Sequence, residues 1–536
     1  MAAERVPVLI VGGSLVGLSA SLLLADRGVE HILVERHPGT AIHPRAAMFH
    51  QRTMEIFRQV GLQDAVEAAA EREFVQNGAI MAVESLAGRE LQYFFRSVNA
   101  GVEHLSPASR VFITQVGLEP VLRERAAQLG AEHRFGTELV DFEQHADGVT
   151  AVLRPRSGGP DRTVTAQYVI AADGAHSRVR DKLGIGLLGW GGFADCVTIY
   201  FRADVKDLIG ERNLSVVYVN HPELLGFFRF AITSDSGFLA VFSTTRPDGT
   251  QDRQVGRDMT ARRCAELVRT ALGVADLPVE IDNVQRWEAT AAYAERYRDG
   301  TVFLAGDAAH VMPPTGGFGG NAGVADAHNL AWKLAMVLDG SAGPGLLDSY
   351  QAERAPIGRL TTEQAYTRYV LRVDPSLSAD GLAAPVDDPS IELGALYRSS
   401  AIAAPAGEAP ELDDPRAPTG RVGTRLPHLP IELDGSPAST LDLAGPGFTL
   451  LAAPDAAAWC TASDNVARSL DLPLTAHRIT ATGRIADPAG AFAAAVGLPA
   501  TGAVLVRPDN VIAWRGEEPT APDEDLKRVM SALLAR

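Results

Sequence analysis

Cysteine is almost missing from this chain: three in 536 residues. Cys196, Cys264 and Cys460 lie far apart and form no C-x-x-C pair, which excludes a disulfide framework and a cysteine zinc site and suits a reducing cytoplasm. No metal site is expected. Positive charge is also short. The 49 Lys and Arg residues face 66 Asp and Glu, a net charge of −17, which disfavours nucleic acid and anionic membrane surfaces as partners. No apolar run approaches the roughly 20 residues that span a bilayer. The opening Met1-Ala2-Ala3-Glu4-Arg5 lacks the basic start and apolar stretch of a signal peptide. These absences predict a soluble cytoplasmic protein acting on a small, mostly uncharged molecule, and they leave monomer and homodimer equally open. With 46% hydrophobic and 21% charged residues, the chain can bury a large core in two or three domains.

The pattern along the chain is that of an α/β protein. Residues 6–11 form a short apolar run of the buried parallel-strand kind, followed by a glycine turn, an apolar helix over 15–26 and a second strand over 32–35. This is the opening βαβ unit of a dinucleotide-binding fold. Between about 197 and 245, short aromatic and β-branched runs separated by Gly, Pro and Asp predict a sheet laid over a pocket. The α/β style returns near residue 302, so the first domain is discontinuous. We divide the chain into a first dinucleotide-binding part (1–180), an inserted sheet over the expected pocket (181–285), a second dinucleotide-binding part (286–374), a connecting segment (375–427) and a terminal α/β domain (428–536). No internal repeat is present.

Three constellations carry chemistry. Gly12-Gly13-Ser14-Leu15-Val16-Gly17 opens the first helix, and Glu35 ends the second strand 18 positions after Gly17. Such glycines make a tight turn, let backbone approach a pyrophosphate and let helix pack on strand, while the helix N-terminus attracts phosphate. Ser14 stands where a middle glycine is usual. A carboxylate at Glu35 can accept a ribose diol and repels a 2′-phosphate, so FAD or NAD fits. The second constellation runs from Gly306-Asp307-Ala308-Ala309-His310 through Pro313-Pro314-Thr315-Gly316-Gly317-Phe318-Gly319-Gly320-Asn321. Asp307 at a strand end suits the hydroxyls of a ribityl chain, which flavins have and nicotinamide dinucleotides lack. The glycine turn after it presents backbone N–H groups and a helix N-terminus to a ring edge that gains negative charge on reduction. The third, Asp173-Gly174-Ala175-His176-Ser177-Arg178-Val179-Arg180, reads either as a cofactor-orienting turn or as a plain turn and N-cap.

In their order and spacing, these motifs resemble the class A flavoprotein aromatic hydroxylases, over about residues 5–372. His43-Pro44-Arg45-Ala46, Gln51-Arg52-Thr53-Met54-Glu55 and Asn329-Leu330-Ala331-Trp332-Lys333-Leu334 resemble the subgroup that tailors aromatic polyketides, including the anthracycline hydroxylases. The resemblance implies a glutathione-reductase-type, Rossmann-like FAD-binding domain with an inserted mixed or antiparallel sheet domain and a terminal thioredoxin-like domain without its redox cysteines. It implies non-covalent FAD, with Gly12, Ser14, Leu15, Val16 and Gly17 at the pyrophosphate, Glu35 and Arg36 at the adenosine ribose, and Arg45 and Gln115 along the cofactor. Asp173, Asp307, Pro314, Gly317, Gly319, Gly320 and Asn321 complete the expected cofactor site. Gly320 departs from the family, where a methionine is common.

No second dinucleotide fingerprint is present, so the nicotinamide cofactor is a visitor. By resemblance, NADPH or NADH reduces the flavin and leaves. Dioxygen then gives a flavin C4a-hydroperoxide that oxidises a polycyclic aromatic phenol. A Baeyer–Villiger outcome of the same chemistry stays open, as does a flavin-bound scaffold without turnover. Tyr218 and Arg372 match segments that line the active site in anthracycline hydroxylases and are the expected catalytic pair. A core tyrosine and a solvated helix-end arginine are their plain readings.

Overall fold

The computed structural model describes residues 4–42, 47–246, 248–257, 259–377, 381–404 and 410–536. Its first sheet has eight strands. Five of them, Val302–Leu304, Arg162–Ala171, Glu4–Val11, His31–Glu35 and Glu132–Phe135, lie side by side in that order and all run parallel. The central strand is apolar through Val8, Leu9 and Ile10, all with no exposed surface, because helices cover a parallel sheet on both faces. Helix Leu15–Asp26 is packed against helix Phe318–Leu338, so the two glycine turns, almost 300 residues apart in sequence, open side by side.

The second sheet has nine strands and extends beyond the 181–285 interval. Strands Ala79–Val83 and Glu90–Phe95 form one edge, and Ala79–Val83 runs parallel to Leu214–His221. Glu280–Ala294 continues past residue 285 along strand Leu187–Arg202. A parallel pairing needs a long crossover and leaves no local turn signal, so the 79–95 segment was not readable as part of this sheet. One face of the sheet forms a core with helix Ala261–Leu272, and the other meets helix Asp348–Arg372.

In the terminal domain, Phe448–Ala452 lies parallel to Leu474–Arg478 and antiparallel to Ala503–Val506, which pairs with Ile512–Gly516. With helices Ala457–Leu470 and Pro522–Leu533 this is the thioredoxin-like arrangement. Among the described residues no helix is long and apolar enough to cross a membrane.

Candidate active site

The first turn is built by steric exclusion. Gly12 has φ 107°, and a Cβ there would fall 2.2 Å from the Ala172 carbonyl oxygen; at Gly17 it would fall 1.8 Å from the Gly12 oxygen. Only glycine lets helix Leu15–Asp26 start so close to the strand. Glu35 folds over this turn, accepting from Gly13 N at 2.7 Å and from His37 N at 2.8 Å. Arg36 beside it is exposed. Gln115 reaches the same turn from its own helix, its Nε2 donating to Ser14 Oγ at 3.1 Å.

One helical turn after Gln115 stands a residue that sequence reasoning missed. Glu119 has no exposed surface, and its carboxylate accepts from Ser14 Oγ at 2.6 Å, Leu15 N at 2.9 Å and Ala41 N at 2.7 Å. Burial raises its pKa above the usual carboxylate range against these hydrogen bonds. Its i+4 spacing from Gln115 is the signal that could have found it.

In the second constellation, Gly306 has φ 61°, and a Cβ there would meet Val16 at 2.6 Å, so this turn is pinned to the first helix. Asp307 is exposed between buried neighbours and projects from the turn. Behind it lies a second missed residue, Asp326, whose carboxylate accepts from Gly306 N at 3.0 Å, His310 Nε2 at 2.7 Å and Arg354 Nε at 2.7 Å. Gly317 then caps helix Phe318–Leu338 with φ 68°; Pro314 is exposed, and Gly316, Gly317, Gly319 and Gly320 are half-buried.

Two expected cofactor residues have side chains engaged within the protein. The side chain of Asn321 is fully engaged within the protein. It accepts from His50 N at 2.9 Å and Thr53 Oγ at 2.6 Å, and donates to the Met48 and Gly317 carbonyls at 3.0 and 2.6 Å. It therefore holds the glycine turn against residues 48–53. The Asp173 carboxylate is likewise spent on its own turn, accepting from Ser177 Oγ at 2.5 Å and Val179 N at 3.2 Å. Arg180 links that turn to the second constellation through the Ala308 carbonyl at 3.2 Å. Arg45 lies outside the described residues.

The two glycine turns, the capped helix N-terminus and the projecting Asp307 fit a flavin dinucleotide: backbone donors without side chains for the phosphates, and a carboxylate for the ribityl hydroxyls.

Tyr218 and Arg372 are brought together, although 154 positions apart. Tyr218 is buried, with its ring edge-on to Phe94 at 5.7 Å, and the Arg372 guanidinium lies over the same Phe94 at 5.1 Å. Arg368, one turn earlier on the Arg372 helix, lies over Phe318 at 4.9 Å, which joins this wall to the glycine turn. Burial raises the Tyr218 pKa, with Arg372 and Arg368 pulling the other way. Tyr369, Phe242, Phe193, Trp190 and Tyr366 extend the aromatic lining.

The polar side chains of the Asn329–Leu334 motif are used at the terminal domain. Asn329 Nδ2 and Lys333 Nζ donate to Glu353 at 2.6 and 2.9 Å, and Arg507 of the terminal domain donates twice to the same carboxylate at 2.6 and 2.9 Å while its guanidinium lies 5.1 Å from the Trp332 ring. It is a domain-docking motif.

Two family models match the chain: an FAD binding domain over residues 5–365 and the C-terminal domain of aromatic-ring hydroxylases over 419–536. A 4-methyl-5-nitrocatechol 5-monooxygenase of a Burkholderia species is 47% identical over 99% of this chain and 98% of its own length. An aklavinone 12-hydroxylase of Streptomyces purpurascens is 39% identical over 99% of both chains. A crystal structure of aklavinone-11 hydroxylase with FAD and aklavinone superposes over the whole of both chains with TM-score 0.93 at 39% identity. The chain belongs to the FAD-dependent aromatic-ring hydroxylases and is a flavoprotein monooxygenase.

Proposed function

We propose that this enzyme hydroxylates a phenolic ring of a polycyclic, polyketide-type aromatic, with NADPH or NADH as reductant and dioxygen as oxygen source. The observation that carries the reading is the convergence of Tyr218 and Arg372 on Phe94, beside the glycine turn. Reduced FAD, when bound, supplies an electrophilic oxygen from dioxygen. The ring it meets must be electron-rich, and a phenolate is far richer than a phenol. Arg372 supplies a fixed positive charge that lowers the pKa of a phenol held beside it. Tyr218, whose own pKa is raised by burial, stays neutral and donates a hydrogen bond to the substrate oxygen. The aromatic lining excludes water and orients the ring by edge and face contacts. A single-ring nitrocatechol is the second substrate reading, favoured by the higher identity to a nitrocatechol monooxygenase, 47% against 39%.

Tyr218→Phe and Arg372→Ala test this. Both keep FAD, and both lose hydroxylation by about 100-fold, the scale of a positioned acid or base. The Arg372 variant recovers part of its rate at higher pH, where the substrate ionises unaided. Unchanged product formation in both at neutral pH removes the pair from the mechanism.

A further inference from the structure

Arg229 is a buried cation most of whose hydrogen-bonding capacity is unused. It is 3% exposed, and its guanidinium lies over the rings of Phe74 at 4.1 Å and Phe112 at 4.7 Å. Nη1 donates to the Ala47 carbonyl at 2.8 Å, while Nε and Nη2 have no partner among the described residues. Its near acid, Glu73, accepts from Thr114 N and Oγ1, and among the described contacts it accepts no hydrogen bond from the guanidinium. Burial lowers its pKa to about 9, so it stays charged at neutral pH. The two arginines buried more deeply, Arg354 and Arg507, each sit on carboxylates. Buried donors on a charged group are rarely left unfilled without a functional reason.

The strand geometry says where the unfilled edge belongs. Along Leu224–Phe230, Phe228 and Phe230 face the core beneath helix Ala261–Leu272, so Phe227 and Arg229 face the other way. Phe227 is the register partner of Tyr218 and therefore shares its face. Arg229 stands two residues further along, about 7 Å from Phe227. Its bonded neighbour Ala47 precedes Met48, whose side chain a Cβ on Gly317 would meet and whose carbonyl accepts from Asn321 Nδ2. Arg372 at Phe94 and Arg229 thus flank one aromatic wall.

We propose that Arg229 is a second substrate-binding cation, whose Nε–H and Nη2–H take a pair of oxygens on the substrate remote from the phenol oxygen at Arg372. Nε and Nη2 form one edge of the guanidinium fork, which suits a planar group offering two oxygens: a nitro or carboxylate group, or an adjacent ring carbonyl and hydroxyl. The substrate class is therefore a phenol with a second, bidentate oxygen acceptor, a feature that nitrocatechols and hydroxyquinones have in common. This subsite rests on the proposed function for the place of the reacting phenol.

The test measures binding with the FAD-loaded enzyme, reading dissociation constants from the change in flavin absorbance. Probes are 4-nitrocatechol and alizarin, with catechol as the ligand lacking the second acceptor. Arg229→Met is expected to weaken 4-nitrocatechol and alizarin by about 10- to 100-fold, the scale of a hydrogen-bonded charge, and catechol by less than about threefold. Arg229→Lys, which keeps the charge without the fork, falls between. The Met variant keeps FAD and unfolds no earlier than wild type, since it removes an unpaired buried charge. Equal weakening of all three probes, no weakening of any, or early unfolding with loss of FAD would each overturn the subsite and leave Arg229 as a packing residue. A selective loss in Arg229→Met together with full product formation in Tyr218→Phe and Arg372→Ala would instead keep the subsite and remove the catalytic reading.

Discussion

Two regions of this molecule bury charge in opposite ways. Where the terminal domain meets the FAD-binding helices, Glu353 is surrounded by Arg507, Lys333, Asn329 and Ser399, each with a direct hydrogen bond to its carboxylate. Burial would push the Glu353 pKa up, yet Arg507 and Lys333 hold it well below the usual carboxylate range. At the aromatic wall of the second sheet, Arg372 lies over one phenylalanine ring and Arg229 over two, without a carboxylate on either guanidinium among the described contacts. The first pattern is complete in itself and fixes architecture. The second is incomplete at Arg229, whose Nε and Nη2 have no partner among the described residues, and that open edge is the place proposed for a ligand. A charged residue type says little; whether its partners are already present says what it is for.

Breaking the complete network should have the largest effect. Glu353→Ala leaves Arg507 and Lys333 buried without their shared carboxylate, and removal of one partner from such a pair costs about 3–5 kcal/mol. Denaturant unfolding should show that loss, with the terminal domain becoming protease-sensitive first. A cost below about 1 kcal/mol would mean that the network is not what docks the domains.

A smaller effect comes from pH at the same interface. His328 is buried, bonded to Gln59 at 3.0 Å, and its pKa is lowered by burial to about 3. A neutral histidine in the fold faces an unfolded one that takes a proton below about 6.5. Its contribution is therefore complete above that pH and lost as pH falls from 6.5 toward 3. His328→Gln should flatten the stability profile in that window by a few kcal/mol at most. Identical slopes for the two proteins between pH 6.5 and 4 would contradict it.

The smallest effect is expected from Cys460→Ser. This free, half-buried thiol lies in helix Ala457–Leu470, while Cys196 lies in the second sheet and Cys264 in helix Ala261–Leu272 packed on it. If the terminal domain acts through Arg507 and not through sulfur, turnover per bound flavin stays within about twofold and stability within about 1 kcal/mol. A large loss of turnover would restore thiol chemistry to this domain.

What the sequence made legible follows from what is local. The Gly12–Gly17 turn, the Gly306 turn and the strand-ending Glu35 are encoded within short segments, because each needs a missing Cβ or a carboxylate at a fixed offset from a strand. Gln115 was legible only by family likeness, and Glu119 one helical turn beyond it went unread, since its i+4 spacing from Gln115 has meaning only once Gln115 is placed at the turn. Asn321 and Asp173 looked like cofactor ligands by their place in motifs. Their side chains hold turns in shape through bonds within the protein, which motif position alone does not record.

By itself the sequence determined the flavin-binding βαβ start, the second glycine turn, the sheet-bearing insert and a terminal domain without redox cysteines, all of which rest on periodicity and steric needs within some tens of residues. Only the tertiary structure decided which distant side chains meet. It set Arg372 and Tyr218 on one phenylalanine, folded residues 79–95 into the substrate sheet, gave Glu353 its partners and left Arg229 with an open edge. The reason is physical: the charge state and hydrogen-bond satisfaction of a buried group depend on neighbours supplied by other elements, and no local stretch of chain records them.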